Sequence, residues 1–544
     1  MPVAVDFFLK YTFLLNPMSK KSLSVFITIF LLMIFLPYLL AWGMSGKDFV
    51  FNGFLLNPID GNSYLAKMYE GWSGEWKFTL PYTVDAGEGA YLFLFYLFLG
   101  HLSRWTSIPN QFLFHAIRMV GAGVLGLSIA AFCNRIFKDH PGYVGTITWL
   151  TAFGSGLGWL VVFGGLLPSD FWVAEAYPFL SAYSNPHFPL GLAALMGILL
   201  LKMEDRKPWH IAIYLGGGLF LSVVLPFGLV VAGVILGGIL VWEWVEDRPF
   251  QGAERSKRFW LGILPLVGTM ALGGPLLLYQ FWVSMTDPVV SGWNAQNLTP
   301  SPPLWDFFLS FSPALLLAIP GAWQIWRNKT HPARRLLLTW FFAGLVLIYL
   351  PFSLQRRFIL GFYIPTAALA GFGLMYFKEK MKERGRWLAP VLLGLSLMTN
   401  ILLILGALLN VMGHSNQIYL SRGEYQALQW IIENSPSSAV IVCSPQMGSY
   451  IPAWTGRRVI YGHPFETVNA RVEEQAVEEF FRGTMTAVDA QSWLEQKRGN
   501  YVFWGKREQK LAEDLSSWEA WASRALDVIY QEDSVTIYEV RKSP

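Results

Sequence analysis

The chain is 544 residues long, 53% hydrophobic and only 14% charged, too little charge to cover a water-soluble protein of that length. An ordinary soluble globule is thereby excluded, and the composition is that of an integral membrane protein. The net charge of +4 decides nothing by itself, because in such proteins the placement of charge matters more than its sum. No nucleic-acid partner is expected.

The charge is unevenly spread. Residues 413–544 hold 13 Lys+Arg and 17 Asp+Glu, whereas residues 1–412 hold 28 and 20, a far lower density. This predicts a membrane domain over 1–412 and a soluble domain over 413–544. The first apolar run, Leu23 to Gly43, is long enough to span and lacks a small-residue cleavage site after it, so it reads as a span and not a cleaved signal. The preceding stretch Asp6 to Leu15 is too short to cross. Runs of roughly 20 apolar residues are needed to traverse ~30 Å of hydrocarbon. Such runs predict about eleven spans, near 23–43, 112–132, 143–166, 186–201, 209–225, 227–245, 259–283, 306–326, 336–352, 358–377 and 387–410. Pro226 separates two of them as a tight hairpin.

Basic residues orient these spans. Lys20 and Lys21, Arg135 and Lys138, Lys202 to Lys207, Arg248 to Arg258, Arg327 to Arg335 and the bases of 378–386 mark every second connection, while the loops 167–185 and 284–305 have none. By the positive-inside pattern the N-terminus is cytoplasmic. An odd number of spans then places 413–544 outside, with a bacterial plasma membrane as the expected location. Cys133 and Cys443 fall on opposite sides in this topology, so no disulfide is expected.

The first outer loop, about 44–111, is too long to be a mere connector. It contains Asn-Pro-Ile-Asp-Gly-Asn-Ser-Tyr-Leu-Ala-Lys-Met over 57–68. Asn57 suits a helix N-cap and Pro58 a first helical residue, so a helix is expected from here to about Gly71. Asp60, Tyr64 and Lys67 then share one helical face at i, i+4 and i+7. They form either a site combining an acid, a phenol and an amine, or an acid complementing the positive helix end beside a solvated lysine. The second outer loop, 168–188, supplies Asp170, Glu175 and His187 without a local base; acids with an imidazole suit a divalent metal such as Mg or Mn, although the spacing is no known signature. The last outer connection, Pro-Phe-Ser-Leu-Gln-Arg-Arg-Phe over 351–358, puts Arg356 and Arg357 on the side that the other bases avoid. Guanidinium forks match phosphate oxygens; the alternative is snorkelling of long side chains to the headgroups.

One span, then a large outer loop opening with an acid just before an aromatic helix, resembles the C-type (GT-C) glycosyltransferase superfamily. Trp-Ser-Gly-Glu-Trp (72–76) and the apolar stretch Tyr91 to Leu102, leading to Arg118, follow in the same order. The resemblance implies a polytopic helical fold with an outer soluble domain. It also implies a polyprenyl-phosphate-linked sugar donor and an acceptor that is a lipid, glycan or protein of the cell envelope. In its terms Asp60 is the catalytic carboxylate, Arg356 and Arg357 hold the donor phosphate, Tyr64, Lys67 and His187 contact substrate, and Asp170 or Glu175 binds metal. Many relatives carry a second acid beside the first; here Gly61 stands there.

Beyond residue 413 the pattern alternates: a helix from Glu424, strands at 439–443 and 458–461, a helix at 472–481, a strand at 501–504, a helix around 511–521 and strands at 527–530 and 536–540. This argues for a small α/β sandwich. No phosphate-cradling glycine motif is present. His463 and Glu466 lie in the polar stretch Tyr-Gly-His-Pro-Phe-Glu-Thr (461–467) and read either as ordinary loop residues or as residues facing the cleft that the outer domain covers. The functional reading is a membrane glycosyltransferase. The alternatives are a transporter or lipid flippase, whose polar residues belong in broken spans, and a non-catalytic assembly protein.

Overall fold

The computed structural model describes residues 18–205, 207–246 and 252–541. The expected Asp6 to Leu15 stretch and the flanking bases Arg206 and Arg248 lie outside the described residues. The chain forms two compact units, interleaved along the sequence: residues 1–39, 115–279 and 299–409 make the first, and 40–114, 280–298 and 410–544 the second.

The first unit is built from helices. Among the described residues five stretches are long and apolar enough to cross a membrane: Lys20–Gly43, Asn110–Ile136, Pro226–Glu246, Ser256–Thr286 and Tyr363–Met412. A sixth is the pair Leu304–Phe311 and Ala314–Arg327, if its 81° bend lies within one span. Five or six stretches among the described residues therefore meet this length and composition test, where the sequence suggests about eleven spans. The other apolar runs lie on shorter helices. His187–Leu201, His210–Val224 and Arg334–Ile348 have 15 residues each, about 22 Å at 1.5 Å per residue. The run 143–166 is helical only from Pro141 to Phe153; Gly154, Gly156 and Gly158 then lead into short 3-10 turns. The stretch Tyr363–Met412, read from sequence as two spans, turns at Lys382, where the backbone is left-handed (φ 48°). Only Leu225 separates His210–Val224 from Pro226–Glu246, as Pro226 suggests. Helix Lys20–Gly43 leaves Val25, Ile29, Leu32 and Leu36 exposed on one stripe, a face suited to lipid and not to water.

The second unit contains the sheets. Strand β1 (Phe49–Phe51) pairs antiparallel with β2 (Tyr419–Ser421), joining segments some 370 residues apart in the chain. A second sheet comprises β3 (Val440–Val442), β4 (Arg458–Val459), β5 (Tyr501–Trp504), β6 (Leu526–Glu532) and β7 (Val535–Val540), in the order β4-β3-β5-β7-β6. Pairs β3–β4 and β3–β5 are parallel, β5–β7 and β6–β7 antiparallel. Side chains alternate across it as a strand period of two requires. Ile441, Phe503 and Ile537 pack with Ala427, Leu428 and Ile431 of helix Arg422–Asn434 on one face. On the other face Val440, Val442, Val502 and Trp504 pack with Phe480, Phe481, Leu494 and Trp518. The helix Arg422–Asn434 begins at a capping box, with Ser421 and Glu424 satisfying each other's backbone amides. Ala66 and Tyr82, from the first long loop, are part of the first of these cores.

Candidate active site

In the second unit, helix Pro58–Ser73 starts after Asn57, whose backbone is left-handed (φ 46°). Pro58 presets the first helical turn. Asn57 occupies the N-cap position but makes no side-chain cap; its Nδ2 donates instead to Asp60 Oδ2 at 2.5 Å. His463 Nε2 lies 3.2 Å from Asp60 Oδ1. The His463 side chain is 3% exposed and that of Asp60 43%, so the carboxylate is held from the protein side and open on the other.

Two helical turns further on, Lys67 is fully buried and its Nζ donates to Glu466 Oε1 and Oε2 at 2.7 and 2.9 Å and to Ser63 Oγ at 2.6 Å. Ser63 Oγ donates in turn to Glu466 at 2.8 Å. The rings of Phe93, Phe78 and Tyr64 surround the ammonium, with centroids 4.4, 5.2 and 5.4 Å away. Burial alone would raise the Glu466 carboxyl, but the Lys67 ammonium and the hydrogen bonds from Lys67 and Ser63 hold it below the ordinary range. The Lys67 charge, expected at a substrate contact, is met here by Glu466 and Ser63. Tyr64 stacks on Tyr96 with centroids 4.4 Å apart. Asp60 and Lys67 thus each meet a residue of the same loop, His463 and Glu466, read from sequence either as ordinary loop residues or as facing the cleft.

That loop is firmly held. Thr467 Oγ1 accepts the amides of Gly462 and His463 at 3.3 and 3.2 Å, and Gln296 Nε2 donates to the carbonyls of Phe465 and Thr467. The Tyr82 ring lies 5.6 Å from that of His463. Nearby, Glu70 accepts from the amide and hydroxyl of Thr79; burial, opposed by these bonds, lifts its carboxyl to about 7.

In the first unit, Arg356 and Arg357 lie on the 3-10 turn Gln355–Ile359, anchored by the Arg356 amide donating to the Thr299 carbonyl at 3.1 Å. Arg356 Nε and an Arg357 terminal nitrogen both lie 3.7 Å from Glu175 Oε1, and the Arg356 guanidinium covers the Trp172 ring at 4.6 Å. One carboxylate faces two guanidiniums, leaving a net positive charge. Arg118 is buried and donates to the carbonyls of Ala182 and Tyr183 at 3.3 and 2.9 Å.

Asp170 is fully buried. Its Oδ2 accepts from the amides of Gly156 and Gly158 at 3.1 Å each and from Thr399 Oγ1 at 2.8 Å. A Cβ on Gly158 would lie 2.0 Å from Asp170 Oδ1, so glycine is required for this approach. Asp306 beside it accepts from Ser169 N at 3.0 Å and from Ser169 Oγ and Ser310 Oγ at 2.6 Å each. Burial, opposed by the hydrogen bonds, raises the Asp170 carboxyl to about 6. Asp170 thus meets backbone and hydroxyl donors, and Glu175 faces two arginines. Among the described residues no group of three or more His, Cys, Asp or Glu is placed to hold a metal ion. His187 is buried at the start of helix His187–Leu201 with its ring 4.0 Å from that of Phe188.

The fold is similar to that of an archaeal oligosaccharyltransferase and of ArnT, and among the described residues several helices are long and apolar enough to cross a membrane. Among solved structures, the apo oligosaccharyltransferase of Archaeoglobus fulgidus matches with a TM-score of 0.55 and 13% identity, over 94% of this chain and 73% of that one. The same enzyme tethered to an acceptor peptide gives 0.52 and 13%, over 96% and 74%. ArnT from Cupriavidus metallidurans, bound to undecaprenyl phosphate, gives 0.50 and 12%, over 96% and 98%. At such identities the likeness is one of fold. No family model matches the chain. A protein TsgA homolog of Citrobacter koseri is 34% identical over 98 residues, 17% of this chain. The chain spans about a quarter (24%) of the length of that curated relative.

Proposed function

We propose that this protein is a membrane glycosyltransferase with about eleven spans that moves a sugar from a polyprenyl-phosphate carrier to an acceptor on the extracytoplasmic side, where residues 413–544 lie. The observation that carries the reading is Asp60: a half-exposed carboxylate at the start of the first-loop helix, held by Asn57 and His463, in a fold shared with lipid-linked-sugar transferases. The ArnT structure with undecaprenyl phosphate supports a polyprenyl-phosphate donor, and the peptide-tethered oligosaccharyltransferase a polar acceptor.

In this reading Asp60 takes the proton of the acceptor O–H or N–H as that atom attacks the anomeric carbon. The bond from the anomeric carbon to the phosphate oxygen breaks, its electron pair leaves with the polyprenyl phosphate, and the anomeric centre inverts. Arg356 and Arg357 bind the phosphate and take up the charge that develops on it.

The test is turnover. Purified protein in lipid discs, given a radiolabelled polyprenyl-phosphate sugar and a membrane extract as acceptor source, is expected to consume the donor. Asp60→Asn should reduce the rate by a factor on the order of 10² or more. Turnover at the wild-type rate in that variant would remove Asp60 from the mechanism.

A further inference from the structure

His463 has a definite protonation pattern. Its Nδ1 accepts the backbone amides of Phe465 and Glu466, both at 3.1 Å. Pro464 intervenes and has no N–H to offer, so these are the first amides the ring can reach. A ring nitrogen that accepts two N–H bonds carries no proton, which puts the single proton of the neutral imidazole on Nε2. Nε2 is the atom 3.2 Å from Asp60 Oδ1. The ring therefore donates to the carboxylate and cannot take a proton from it while keeping its bonds to the loop.

The surroundings fix this donor in place. Lys67, on the same helix as Asp60, is bound by Glu466, three residues beyond His463, so helix and loop are pinned at two points along one face. The Tyr82 ring backs the imidazole, and the loop is held by Thr467 and Gln296. The titratable groups around the pair are Glu466 and Lys67, with Tyr82 and Tyr96 within electrostatic range of Asp60.

We infer that His463 is a positioning residue for Asp60: a tautomer-locked Nε2–H that aims the carboxylate and favours its anionic form. The inference rests on the reading of Asp60 as the base under Proposed function. It makes the loop 461–467 part of the acceptor-activating site, with His463 acting through Asp60. A hydrogen bond donated to a carboxylate stabilises its charged form, so losing it should raise the pH at which the base becomes available.

Two measurements on the full-length protein in lipid discs test this. In the first, magic-angle-spinning NMR of protein with 15N-labelled histidine reads the tautomer of His463, its signal assigned by its disappearance in His463→Gln. An Nε2–H form that shifts in Asp60→Asn is expected; an Nδ1–H form would overturn the inference whether or not the protein transfers sugar. In the second, donor consumption is followed against pH. His463→Ala should lower kcat about ten- to a hundredfold and move the acidic limb of the profile upward. His463→Gln, whose amide nitrogen reaches the Nε2 position, should restore most of the rate and the profile. Wild-type kcat and an unmoved acidic limb in a folded His463→Ala protein, alongside an inactive Asp60→Asn, would remove His463 and leave the transferase reading standing. A wild type that consumes no donor would instead defeat the transferase reading, and with it the role in catalysis, while the tautomer measurement would still decide the hydrogen bond.

Discussion

Replacing Lys67 by Met should destabilise the second unit by about 3–5 kcal/mol, the usual cost of leaving one member of a buried ion pair without its partner. The Nζ is fully buried and 2.7 Å from Glu466 Oε1. The gross attraction at that distance is ~6 kcal/mol for an effective dielectric of ~20, most of which offsets the desolvation of the two ions. Met preserves the side-chain volume and its contacts with Phe78 and Phe93, so the loss isolates the stranded Glu466 charge, to which Ser63 Oγ still donates. Glu466→Gln should behave similarly by stranding the ammonium. The double variant Lys67→Met with Glu466→Leu should be milder than either single one, because neither charge remains buried. The assay is thermal unfolding in detergent followed by circular dichroism. At about 2–4 °C per kcal/mol for a unit of this size, the single variants should fall by roughly 6–20 °C. The Glu466 carboxyl is depressed in the folded protein, so its contribution is present above the ordinary carboxylate range and is lost as pH falls through the depressed value. The double variant should lack this acid sensitivity. Single variants within ~2 °C of wild type, or a double variant as damaged as the two singles combined, would refute the reasoning.

Glu175→Gln removes the one acid that Arg356 and Arg357 share, and the donor KM should fall by a factor on the order of 3–10 at low salt, an advantage that shrinks as salt rises; a higher KM would show that Glu175 positions the arginines and does not compete for them. Glu70 gives a pH dependence of opposite sign to that of Glu466. Its carboxyl is raised to about 7 in the folded protein, so its favourable contribution is complete below the ordinary carboxylate value and is lost as pH climbs through about 7. Glu70→Gln should flatten that decline, making the variant more stable than wild type above neutrality by on the order of 1–3 kcal/mol, read as the difference in Tm between acidic and alkaline buffer.

What was legible in the sequence was local. Asn57-Pro58 announces the helix that begins at Pro58, and short apolar runs between helical patterns mark β3 and β5 close to where they lie. Helix Ala487–Gln496 escaped notice because it buries little beyond Ala490 and Leu494, too narrow a stripe to show as a helical period. Apolar content alone does not reveal that a run breaks at Phe153 or that a helix stops after 15 residues. The candidate residues Asp60, Arg356 and Arg357 could be picked out as polar groups in loops between apolar runs. Their partners could not. No spacing rule connects Lys67 with a glutamate 399 positions later, or Asp170 with the hydroxyl of Thr399.

The pairing of β1 with β2 and of Lys67 with Glu466 has a consequence for biogenesis. While the ribosome is still making the intervening residues, the first loop exists without the strand and the acid that complete it. At about 5–20 residues per second, the 399 positions between Lys67 and Glu466 amount to roughly 20–80 s of waiting. Over that interval a lysine destined for an aromatic cage remains hydrated, and the segment around it is open to proteases and holding chaperones. The final arrangement around Asp60 can therefore assemble only late in synthesis, which would keep a nascent, half-inserted chain from acting on its surroundings.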